Sequence, residues 1–96
     1  MDAREAITMI SVTVYSTGDG CPRCVRTCAC LRLAGIPFTI IDLSAYANAP
    51  AREFVTDDLG YTAAPVVVVD QDQQHHWSGF RPDLIQQLSG QIEASS

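Results

Sequence analysis

Lysine is absent from this 96-residue chain, all six basic residues being arginine, and no acidic residue occurs between positions 21 and 41. Also missing is any apolar run approaching the ~20 residues that a bilayer-spanning helix requires. Residues 1–9 carry two acids and no apolar stretch, so they do not read as a secretory leader. These absences direct the expectation to the cytoplasm, where thiols are kept reduced and a cysteine cluster is more often catalytic or metal-binding than structural. A net charge of −5 removes the basic surface that nonspecific nucleic-acid binding needs. The charge is uneven, however. Arg23, Arg26 and Arg32 all fall in the acid-free stretch, which makes the cysteine segment locally positive. Such a run is either an ordinary solvated helix face or an environment that favours thiolate.

What is present reads as one domain over residues 1–96, with a core between about 9 and 90 and disordered ends at about 1–8 and 91–96. Ile10, Val12 and Val14 alternate with polar neighbours, the period-two pattern of a strand. Ser16 to Gly20 is a loop by composition, and Pro22 to about Ala34 is a helix with proline in its first turn and Gly35 at its end. Phe38 to Leu43 is a second strand; Asn48-Ala49-Pro50 opens a second helix that runs to Leu59. Val66 to Val69 predict a strand covered on both faces. Asp70 to Gln74 reads as a polar turn, His75 to Trp77 as a short partner strand, and Pro82 to Leu88 as a third helix with Gly90 just beyond. The order β-α-β-α-β-β-α implies a parallel right-handed crossover followed by a hairpin: a four-stranded mixed sheet flanked by three helices.

Four cysteines lie within ten residues, at 21, 24, 28 and 30. A closed zinc site draws its ligands from converging segments, whereas these share one loop-to-helix stretch. At ~100° per residue Cys24 and Cys28 share a helix face while Cys30 points away, so one metal cannot collect all four, and no metal site is expected. His75 and His76 read as polar residues of an edge strand. A Cys-x-x-Cys where a strand passes into a helix reads instead as a thioredoxin-like redox motif. Cys21 falls at the helix N-cap, where unpaired N–H groups and the positive end of the dipole stabilise a thiolate. Cys24, one turn on, is close enough to close a disulfide and becomes the resolving thiol. Pro22 stiffens the first turn and Arg23 adds positive charge, while Asp19 opposes the thiolate if it lies close. Cys28 and Cys30 read as packing residues.

At this point the chain resembles the NrdH-redoxins, glutaredoxin-sized electron donors to ribonucleotide reductase, over roughly Val12 to Gly90. The resemblance rests on Cys-Pro-Arg-Cys at 21–24, Ala-Ala-Pro-Val-Val at 63–67 and Trp-Ser-Gly-Phe-Arg-Pro-Asp at 77–83. It implies a thioredoxin-like fold and a redox-active Cys21–Cys24 disulfide faced by a cis Pro65, with the Ala64 backbone open to an extended partner. It places Trp77, Ser78, Gly79, Phe80 and Arg81 around the site, partly as a docking surface, where the residues by themselves read as a core tryptophan and a turn. It further implies a monomer with no bound cofactor, recharged by thioredoxin reductase from NADPH and serving a class Ib-type ribonucleotide reductase. The Gly-Gly-x-Asp-type turn with which glutathione-dependent glutaredoxins hold their reductant is replaced by Ser78-Gly79-Phe80-Arg81-Pro82-Asp83. A longer loop at Thr17–Gly20, Pro22-Arg23 between the cysteines, and Cys28 and Cys30 depart from the family pattern. The alternatives are a glutathione-dependent glutaredoxin and, from another class, an iron–sulfur carrier.

Overall fold

The computed structural model describes residues 10–18 and 20–95, with side chains as far as residue 90. The expectations for residues 1–8, for Ser96 and for the position of Asp19 lie outside the described residues. Four strands, β1 (Val12–Ser16), β2 (Phe38–Asp42), β3 (Val66–Val69) and β4 (Asp72–Ser78), form one sheet in the order β2-β1-β3-β4. The helices are α1 (Pro22–Leu33), α2 (Ala49–Glu53) and α3 (Pro82–Ser95). β1 and β2 are parallel, as the intervening helix requires, and β3 runs antiparallel to both β1 and β4. This is a thioredoxin-like fold, with the mixed sheet and three helices that the sequence predicts.

Alternation divides the core in two. Val12 and Val14 of β1, Val67 and Val69 of β3 and Trp77 of β4 share one face with Cys28 and Leu31 of α1 and Ile85 and Leu88 of α3. Val66 and Val68 turn to the other face and pack with Val55, Tyr15 and Phe54 beside α2. All four consecutive valines are buried, because β3 is covered on both sides. α1 ends where Gly35 takes φ +73°. The Gly35 N–H donates to the Arg32 carbonyl (3.2 Å) and the Ile36 N–H to that of Leu31 (3.0 Å). This pair of bonds satisfies the last carbonyls of the helix and turns Ile36 inward beneath Leu31.

Three elements differ from expectation. The second helix is composite: a 3₁₀ turn over Tyr46–Asn48, α2 itself, and a π turn over Phe54–Asp58. Thr56 Oγ1 donates to the Arg52 carbonyl (2.8 Å), a local bond that competes with the regular helical ladder. β4 begins at Asp72, so the hairpin turn is only Asp70–Gln71. Asp72, Gln73 and Gln74 are polar because an edge strand is half solvated, and Asp70 is pinned by Ser11 Oγ and Thr13 Oγ1 (both 2.7 Å). α3 continues through Gly90 to Ser95, where a helix end and a disordered tail were expected. One glycine costs only about 1 kcal/mol relative to alanine, and no proline follows to stop the helix. Among the described residues no helix is long and apolar enough to cross a membrane.

Leu31 and Leu33 give a test of this packing, since they are 0% and 90% exposed on the same helix. Leu31→Ala is expected to lower unfolding free energy by about 2–5 kcal/mol, and Leu33→Ala by less than about 0.5 kcal/mol, measured by urea denaturation.

Candidate functional site

The register of the sheet assembles one end of the molecule. Tyr15 pairs with Val66 and Val66 with Ser78, so the loop leaving β1, the segment entering β3 and the segment leaving β4 all meet there. α1 starts from the first of these. Cys21 is its N-cap, with extended backbone angles, and Pro22 stands in its first turn. The Cys24 N–H, one of the donors a helix start leaves without a partner, donates to Cys21 Sγ at 3.2 Å. The Cys21 carbonyl accepts from the Val25 N–H at 3.1 Å. A sulfur held in this way is stabilised as an anion by the bond and by the helix dipole.

Cys21 and Cys24 face each other at disulfide distance, their Cα atoms 5.2 Å apart. Their surroundings differ. Cys24 is 2% exposed, whereas Cys21 is partly exposed at the surface, with Pro22 and Arg23 exposed beside it. An incoming sulfur can therefore reach Cys21 and is screened from Cys24. That asymmetry leaves Cys21 the more accessible sulfur of the pair.

The second and third segments are stapled to each other. The Ala64–Pro65 bond is cis and Pro65 is buried. Ser78 Oγ donates to the Ala63 carbonyl (2.7 Å) and the Gly79 N–H to that of Pro65 (2.8 Å). Gly79 adopts φ +89°, a conformation that favours glycine and turns the chain back toward the proline. Phe80 follows, partly exposed. The Arg81 carbonyl accepts the Leu84 and Ile85 N–H groups (both 3.2 Å) at the start of α3. The Arg81 guanidinium forms two bonds to Asp83 (3.1 and 2.9 Å), which hold the Asp83 carboxyl below its ordinary range.

Of the residues expected to dock a partner, Trp77 is placed otherwise. It is 4% exposed and belongs to the core, because its register partner Val67 faces α1 and α3. Its contribution is to anchor the segment whose later residues reach the surface. A further clasp has no counterpart among the expected site residues: Tyr61 Oη lies 2.8 Å from His76 Nδ1 and ties the approach to Pro65 onto β4. Two polar residues fifteen positions apart carry no periodic signal, so only the folded chain shows their pairing. Cys28 is buried, and burial pushes its thiol up from the ordinary range despite nearby Arg32; Cys30 is partly exposed and free. Among the described residues no group of three or more His, Cys, Asp or Glu side chains is placed to hold a metal ion.

Comparison with known proteins agrees with this geometry. A glutaredoxin family profile matches residues 12–74. The Gene 56 protein of Mycobacterium phage L5 is 38% identical over 84 residues, covering 88% of this chain and 77% of that protein. Among solved structures, the glutaredoxin-like NrdH-redoxin of Escherichia coli, whose activity profile is described as thioredoxin-like, is 29% identical with a TM-score of 0.64. The match covers 81% of this chain and 93% of that one. A glutaredoxin from Archaeoglobus fulgidus is 28% identical with a TM-score of 0.66, over 83% and 86% of the two chains.

The asymmetry of the cysteine pair is testable. Cys21→Ser is expected to abolish disulfide reduction, and Cys24→Ser to accumulate mixed disulfides visible by non-reducing electrophoresis and mass spectrometry. Faster alkylation of Cys24 than of Cys21 in the reduced protein would reverse the assignment. The double variant Cys28→Ala, Cys30→Ala is expected to keep turnover within about threefold, as packing residues outside the exchange should; loss of most activity in a folded double variant would bring one of them into the cycle.

Proposed function

The chain belongs to the glutaredoxin family, and from that premise we propose that it is a dithiol–disulfide oxidoreductase carrying electrons from NADPH, through thioredoxin reductase, to a client disulfide. The proposed client is ribonucleotide reductase of the class Ib type. The observation that carries the reading is the Cys21–Cys24 pair: one sulfur accessible at a helix N-cap, the other buried one turn behind it.

In the proposed cycle the Cys21 thiolate attacks one sulfur of the client disulfide, forms a mixed disulfide and releases the other client sulfur as a thiolate. The Cys24 thiolate then attacks Cys21 Sγ, which releases the second client sulfur and closes Cys21–Cys24. Two electrons and the matching protons leave this protein for the client, and thioredoxin reductase returns them at the expense of NADPH. The protein works as a monomer in the cytoplasm and needs no metal or bound cofactor for this exchange.

The choice of reductase over glutathione rests on the turn before α3. A glutathione carboxylate approaching Arg81 meets a guanidinium already committed to Asp83 through two bonds. Phe80, next to Gly79 and partly exposed, suits a protein surface better than a small charged peptide. The resemblance of Trp77 to Asp83 to the NrdH-redoxins points the same way.

Supplying the oxidised protein with NADPH and thioredoxin reductase, or with glutathione and its reductase, separates the two sources. Rapid reduction is expected only in the first case, and efficient reduction by glutathione alone would overturn the assignment. Phe80→Ala is expected to lower kcat/KM with the reductase by about 5- to 100-fold, the ordinary cost of losing an interface anchor, while the Cys21–Cys24 potential is unchanged.

A further inference from the structure

The sheet has two edges and they are finished differently. β4 shifts register between Asp72 and His76, opposite the Val68–Val69 step of β3, and carries Asp72, Gln73 and Gln74 as exposed polar side chains. Bulges and charges are means by which an edge avoids pairing with another chain. β2 has no such protection along its first four residues. Its register on β1 runs unshifted from Val12–Phe38 to Ser16–Asp42, it holds no proline and no charge before Asp42, and Ile40 is 52% exposed.

The direction of the free backbone groups follows from the ladder. The Val12 N–H donates to the Pro37 carbonyl and the Leu43 N–H to that of Ser16. In a parallel pair alternate residues make these bonds, so Thr39 and Ile41 serve β1 while the N–H and C=O of Phe38 and Ile40 face away from the sheet. The Asp42 carbonyl is already taken, by Asn48 Nδ2 (2.8 Å) and the Ala45 N–H (3.3 Å). Among the described residues the open edge is therefore confined to Phe38 and Ile40.

Alongside it runs a cavity of about 340 Å³, with Val25 and Cys28 of α1 on one wall and Ile40 on the other. Arg32 lines it at the far end, near Phe38, whose ring lies 5.4 Å below the guanidinium. Cys24 and Gly18 line the end that meets the active site. We infer that this groove and the Phe38–Ile40 edge receive an extended segment of the disulfide-bearing client, added as a fifth strand. An apolar side chain of the segment lies between Val25 and Ile40, and a carboxylate reaches Arg32.

Three observations select this occupant. The groove is continuous with the Cys24 end of the exchange site, so one client chain can occupy both. Arg32 is the one cation of the groove lining and makes no ion pair among the described residues, although Asp42 also lines the groove, and this favours an acidic group at the Arg32 end. A second copy of the chain brings its own −5 and is repelled. Strand addition gives affinity through the main chain, and the alternate side chains give selectivity. The inference rests on the oxidoreductase reading, because the client is recognised by its disulfide.

The probes are three synthetic cyclic disulfide peptides, each joined by a Gly-Ser linker to Glu-Val-Glu-Val, Lys-Val-Lys-Val or Gly-Ser-Gly-Ser, together with the acidic tail alone. The acidic extension is expected to lower KM about fivefold, the effect of one screened ion pair, with kcat unchanged and the preference lost at ~0.5 M salt. The tail alone is expected to slow amide exchange at Phe38 and Ile40 and leave Thr39 and Ile41 unaffected. Arg32→Glu is expected to remove the preference while turnover of the Gly-Ser peptide is kept. Equal KM for all three peptides, Phe38 and Ile40 amides already protected in the free protein, or a preference without their protection would each overturn the docking site. Failure to reduce any of the peptides would instead sink the oxidoreductase reading, and the tail alone still tests the edge.

Discussion

One backbone N–H without a partner in its own helix is the constraint on which this molecule depends. The first turn of α1 leaves such donors at Cys24 and its neighbours, and the Cys24 donor finds the sulfur of Cys21 at 3.2 Å. Serine or aspartate would satisfy it equally well at an N-cap. Cysteine at that position gives the helix its cap, and in the proposed cycle the same bond serves its thiolate. The arrangement demands that α1 be held still, and its other end shows how: the bonds from Gly35 and Ile36 close the last turn and seat Leu31 and Ile36 in the core.

Under the proposed function, the second half of the chain supplies what a reactive sulfur alone lacks, a surface that admits some partners and refuses others. That surface is held by bonds from Ser78 and Gly79 to the carbonyls of Ala63 and Pro65, and by Trp77, whose buried ring fixes the strand from which they project. Recognition and rigidity therefore fall on neighbouring residues with opposite exposures. Trp77 is interior and Phe80 lies partly at the surface, three positions apart on a chain that turns at Gly79.

The parts legible in the sequence were those governed by local rules. Cys21 with Pro22 announced a helix start, the run from Val66 to Val69 a doubly covered strand, and Gly35 a helix end. Local rules misjudged β4, because Asp72 to Gln74 are polar on account of an edge position that only the sheet order reveals. They also misjudged α3, because Gly90 is a weak stop when no proline accompanies it. For Trp77 the chain alone allowed both a core and a docking tryptophan, because its side is set by pairing with Val67, and one step of register would have turned it to the opposite face. The Tyr61–His76 clasp and the Asp70 anchor to Ser11 and Thr13 are long-range polar contacts, invisible to any pattern along the chain.

β1 joins β2 through one crossover and pairs with β3, which lies much later along the chain. The two cysteines and the helix that caps them belong wholly to the first half, and the proline loop and the turn at Gly79 belong to the second. A ribosome delivers the first half before the second exists. During that interval the nascent chain already possesses the pair of thiols, with nothing yet built to choose among disulfides. Under the proposed function, the surface that chooses among disulfides exists only once β3 and β4 have joined β1, and a chain ending before β3 would carry the two thiols without it.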